Sequence, residues 1–126
     1  MATRMIFANP APEKSTVRLT AVIKDEAGVA IPAATLTTLT LTLYALDATL
    51  TILNGVNGTN ILNADRGTVD ASGNLVIALT PSDNAILDTS VTEELRVALV
   101  QWTWAAGAKA GRHEIEYRVA NLAKVS

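Results

Sequence analysis

The chain has 126 residues, one histidine, no cysteine and a net charge of −2. That is the size of a single domain, and it excludes disulfides and thiolate metal sites. Ten basic and twelve acidic residues with no basic run exclude a phosphate-neutralising surface, so no nucleic-acid partner is expected.

Apolar runs are only a few residues long, too short for a membrane-spanning helix, and no membrane partner is expected. The opening MATRMIFANPAPEKS has neither the apolar core nor the cleavage pattern of a signal peptide. Hydrophobic residues make up 49% of the chain but aromatic ones only 4%, and there are sixteen threonines. Threonine alternating with valine, isoleucine and leucine suits a half-buried pleated sheet.

Residues 1–14 hold Pro10 and Pro12 and no sustained period, which predicts an N-terminal arm, mobile or laid against a neighbour. The domain proper is then 15–126. In STVRLTAVIKD, Val17, Leu19, Ala21 and Ile23 fall on one face of a strand, and Glu26-Ala27-Gly28 ends it as a turn. Leu39, Leu41 and Leu43 alternate with Thr38, Thr40 and Thr42 in the next strand. Leu36 is out of phase with them, so a bulge is expected near Thr37 and Thr38.

TLTILN predicts another short strand, followed by a loop-rich stretch with turns at Asn54-Gly55 and Asn57-Gly58. Asp70 to Asn74 is a turn, and Leu75, Ile77 and Leu79 are the inward face of the strand after it. Thr80 then reads as an N-cap, Pro81 as the first helical residue and Asp83 as the acidic residue near a helix start. A short helical turn is expected near 81–88, burying Ile86 and Leu87 while Asp83 and Asp88 stay in water.

In EELRVALVQWTW, Leu95, Val97 and Leu99 share one face, and Val100, Trp102 and Trp104 the other. Either a bulge flips the phase or the strand is covered on both sides. AAGAKAG is a hairpin loop, after which His113, Ile115, Tyr117 and Val119 share a face. About seven or eight short strands with glycine turns predict an all-β fold, an immunoglobulin-like β-sandwich.

Catalytic side chains are scarce. His113 is in phase with Ile115 and Tyr117 and reads as a core-edge histidine, because a general base needs a positioned nucleophile and an orienting partner. Asp65 and Asp70 with the Asn-Gly loop oxygens lack the dense acidic spacing of a calcium loop. No enzyme activity, cofactor or metal is expected. The candidate interface residues are Met5, Ile6 and Phe7, an apolar triplet in the arm, and Trp102 with Trp104. At i and i+2 the two indoles should point the same way, into the core or towards a partner.

"GTVDASGNLVIALTPSDNAIL", then "VALVQWTW", a glycine hairpin and "GRHEIEYRVANL", resembles the small immunoglobulin-like structural proteins of tailed bacteriophages. The stretch "STVRLTAVIKDEAGVAIPAATLTTLTLTLY" matches the same layout. It is also similar to the modules at the N-termini of phage baseplate proteins, where a leucine-threonine-proline strand end leads into a short helix. The resemblance spans roughly residues 15 to 122 and carries no catalytic residues. It implies a non-enzymatic virion component: a capsid decoration, or a neck, tail or baseplate piece. Its expected partners are other virion proteins, with copies of itself forming an oligomer in the particle. The alternative is a module that binds cell-surface glycans through an exposed tryptophan. Deleting residues 1–12 is expected, on this reading, to spare the fold and abolish assembly.

Overall fold

The structure, a computed structural model, describes residues 15–46, 49–85 and 92–120, and the backbone alone of 2–6 and 11–12. Nine strands follow in chain order among these residues: β1 (Ala2–Ile6), β2 (Ala11–Pro12), β3 (Val17–Val22), β4 (Leu36–Ala45), β5 (Thr59–Asn60), β6 (Gly67–Val69), β7 (Asn74–Leu79), β8 (Glu93–Trp104) and β9 (Lys109–Ala120). The larger sheet runs β1-β9-β8-β4-β5, with β2 also on β9, and the smaller runs β3-β7-β6. The chain crosses between sheets after β2, β3, β5 and β7, which gives the all-β sandwich an immunoglobulin-type strand order.

The alternation read in the sequence decides which faces meet. Leu39, Leu41 and Leu43 are fully buried, as are Leu19, Ile77 and Ile115, and one continuous core joins the two sheets. The expected bulge is present: the β4–β8 register shifts between Leu36 and Thr38. No bulge flips β8, whose pairing with β9 runs unbroken from Glu93↔Ala120 to Trp104↔Lys109. The strand is covered on both sides instead, with Arg96, Val97 and Ala98 all at 0% exposure.

Two expectations need correction, those on TLTILN and on the helical turn. In the segment 1–14, expected to be an arm that is mobile or laid against a neighbour, β1 and β2 pair in parallel with β9, from Ala2↔Arg112 to Pro12↔Ala120. A deletion of residues 1–12 therefore also strips one edge of the larger sheet, and cannot test assembly alone. TLTILN is not a strand: Ile52 makes a single bridge to Tyr44, and Leu50 and Asn54 have positive φ. After β7, residues 81–84 form one turn and no helix, with Asp83 N–H donating to Thr80 O at 3.0 Å. Ile86, Leu87 and Asp88 lie outside the described residues.

The β6–β7 hairpin shows how tightly the small sheet is built. The Asp70 carboxylate accepts from the backbone N–H groups of Ser72 and Asn74 at 2.8 and 2.9 Å, and from the Asn74 side chain. These bonds hold its pKa below the usual carboxylate range. Gly73 sits at φ +81°, and a Cβ there would lie 2.8 Å from Ile31 O; Gly28, at φ +80°, has open space around it. Gly28→Ala is expected to cost about 1–2 kcal/mol for its left-handed backbone alone. Gly73→Ala should cost clearly more, because Ile31 must also move. Urea unfolding of the two variants checks the order.

Candidate functional site

Among the described residues, no group of three His, Asp or Glu side chains comes together in a way that could hold a metal. Asp70 is spent on its own turn, and Asp65 accepts from Arg66 Nη1 at 2.9 Å. Asp25 accepts from Ala27 and Val29 N–H at 2.9 and 3.0 Å.

The described ones among the expected interface residues fall on β1 and β8, at different levels of β9. The register sets Met5 beside Ile115 and Ile6 beside Glu116, and Phe7 lies outside the described residues. Trp102 is only 6% exposed and packs in the core, while Trp104 is half-buried against it. Trp102 sits across β8–β9 from Gly111, where a Cβ would lie 2.7 Å from its Nε1. Glycine leaves the space the indole fills, so little of the Trp102 ring is open.

Trp102 does line a cleft of about 930 Å³ that also takes in residues of β3. Ala21 and Val22 of β3, Leu75 of β7, and Arg112 and His113 of β9 contribute to its walls. The loop after β3 closes one end with Lys24, Asp25 and Glu26. Burial pushes the His113 imidazole below its ordinary pKa, against the opposing charge of Glu114, so at neutral pH the ring is an uncharged wall. Glu26 is paired with Lys109 at 3.1 Å. Lys24 and Arg112 form no ion pair with a described side chain, and neither does the Asp25 carboxylate, so the cleft carries two free cations against one free carboxylate, a positive excess. The indole Nε1 of Trp102 is buried and has no acceptor.

The turn after β7 holds a cluster that the sequence pointed to only by its local half. Asp83, expected in water, is 1% exposed. Arg66 donates to both its oxygens, Nε at 2.6 Å and Nη2 at 2.8 Å, and Asn54 Nδ2 and Thr80 N–H each donate at 2.8 Å. Burial drives the carboxyl up, but these donors and the guanidinium charge outweigh it and hold the pKa below the usual range. Arg96, fully buried, donates to Asp83 O at 3.0 Å and also to Ala85 O and Glu94. Two arginines thus fasten this crossover to both sheets, and the cluster is a clamp on the fold.

The outer face of the larger sheet is the other broad surface. Thr38, Thr40 and Thr42 lie beside Thr103, Gln101 and Leu99, with Thr38 and Thr103 hydroxyls 2.7 Å apart. Further along, Ile52, Tyr44 and Val97 form a cross-strand row, flanked by Leu95. Ile52 is 39% and Leu95 47% exposed, an apolar end to a polar face. No protein-family model matches the chain, and neither a curated protein nor a solved structure matches it.

Proposed function

We propose that the protein is a non-enzymatic structural subunit of a tailed-bacteriophage particle, docked on a repeating capsid or tail assembly beside copies of itself. The phage assignment draws on the sequence resemblance. The surface-docking part is supported by the exposed Ile52 and Leu95 at the end of the outer sheet face, since exposed apolar side chains grouped on a small domain can mark contact sites. Repetition on a lattice multiplies a weak contact per copy into firm attachment.

The test is the copy number per purified particle, by quantitative mass spectrometry against the major capsid protein. On the order of hundreds of copies means lattice decoration, and about a dozen or fewer means a ring in the neck, tail or baseplate. Absence from the particle overturns the reading. Leu95→Glu is expected to lower incorporation while leaving the unfolding midpoint within about 0.5 kcal/mol of the parent, as a surface change should.

A further inference from the structure

The two sheets treat their edges differently. In the larger sheet, β1 and β2 cover β9. In the smaller, β3 and β6 are the two terminal strands, and β3 is the longer. Ile23 N–H donates to Gly73 O at 2.9 Å, extending the register in which Val17 faces Leu79 and Val22 faces Asn74. Antiparallel bonding alternates along a strand, so Val17, Leu19 and Ala21 turn their backbone groups towards β7. Arg18, Thr20 and Val22 turn theirs away, and no described strand lies on that side.

An open edge is normally blunted by proline, a bulge or a charge. This one has neither proline nor bulge, and residues of it line the 930 Å³ cleft. Val22 is 44% exposed at its end. Positive charge is in excess beside it: Arg18, Lys24 and Arg112 are unpaired with any described side chain, Glu26 is taken up by Lys109, and Asp25 is the one carboxylate left in the cleft lining. Such cations repel the β3 edge of a second copy and favour a strand that carries carboxylates.

We propose that the β3 edge and its cleft receive an extended acidic segment of a partner polypeptide, which adds a fourth strand to the smaller sheet. Backbone groups of Arg18, Thr20 and Val22 bond the incoming strand. Its alternate apolar side chains enter the cleft over Ala21, Leu75 and Trp102. Its carboxylates face Lys24 and Arg112. The inference names a docking surface for the reading above and rests on that reading only for the particle as the partner's source.

The test uses the isotope-labelled full chain and a capped peptide of about six residues alternating valine and glutamate, with a valine–lysine peptide as control. The glutamate peptide is expected to bind at least about tenfold more tightly. It should slow hydrogen exchange at the amides of Arg18, Thr20 and Val22 and shift the Trp102 indole N–H resonance. Thr20→Pro removes an outward N–H that β7 does not use, and proline is tolerated at such edges; it should lose the binding. The pair Lys24→Glu with Arg112→Glu needs no backbone change and should reverse the peptide preference. Equal response to both peptides, exchange protection elsewhere, or an unaltered preference in the charge-reversed protein overturns the proposal. Peptide binding by a protein absent from particles would sustain this inference and overturn only the virion reading.

Discussion

Replacing Arg66 with methionine is expected to destabilise the protein by about 3–5 kcal/mol, the usual cost of removing one partner from a buried ion pair. Asp83 is 1% exposed, and among the described residues Arg66 supplies two of its carboxylate's four donors and the only countercharge bonded to it. Methionine keeps much of the packing volume, so the loss reports the uncompensated charge more than a cavity. The pH dependence separates this from a packing effect. In the parent, the folded carboxyl has a pKa below its unfolded value. Its contribution is therefore full above the ordinary carboxyl pKa, about 4, and is lost as pH falls through the folded pKa. In Arg66→Met, burial acts without the guanidinium and pushes the same carboxyl up. Acid then neutralises the stranded charge, and the gap between parent and variant narrows from pH 7 towards pH 3. Urea midpoints across that range check it. A gap that stays constant with pH would mean that the pair contributes packing alone.

The clamp also shows where sequence reasoning stopped. Thr80-Pro81-Ser82-Asp83 carries the reciprocal bonding of a capping box: Thr80 N–H donates to the Asp83 carboxylate at 2.8 Å, and Asp83 N–H lies 3.3 Å from the Thr80 hydroxyl. That local signal was legible, and it marks the turn correctly. Whether Asp83 faces water or protein depends on Arg66, seventeen residues away, and on Arg96 in the next strand; neither pairing leaves a local pattern. The parallel pairing of β1 with β9 is harder still, since its partners lie more than a hundred residues apart. The segment's prolines and missing period argued against any strand there.

By contrast, the strands with a strict two-residue alternation were readable because one face had to be buried. Leu39, Leu41 and Leu43 meet the core wherever the turns place them. β8 defeated that logic at its centre, where Arg96, Val97 and Ala98 are all buried and alternation carries no information about sidedness. TLTILN failed for another reason. Its apolar residues suit a strand, but the positive φ of Leu50 and Asn54 turns the chain before a second ladder pair can form. The cleft itself was invisible, because it depends on which edge lacks a neighbour and not on any residue pattern.

Trp102 and Gly111 give the other large expected effect. Trp102→Ala should cost about 3–5 kcal/mol, as a large side chain is lost from a packed core. Gly111→Val should cost about 1–3 kcal/mol by overpacking, since a Cβ there falls 2.7 to 2.9 Å from three atoms of the indole. The two residues face each other across β8 and β9, so their effects should not add. With the indole gone, the valine occupies space the ring had filled, and the double variant is expected to lose at least about 1 kcal/mol less than the sum. Trp104→Ala, which removes a half-buried ring, should cost less than Trp102→Ala and show no such coupling to Gly111→Val. Guanidinium unfolding of the single and double variants closes the cycle. Additive losses would mean that the indole does not rest on Gly111, and would remove the reason a glycine stands inside a twelve-residue strand. A positive coupling would mean that this part of the cleft lining is set by one interlocked pair, so that Trp102 acts on the β3 edge through its position as well as its apolar surface.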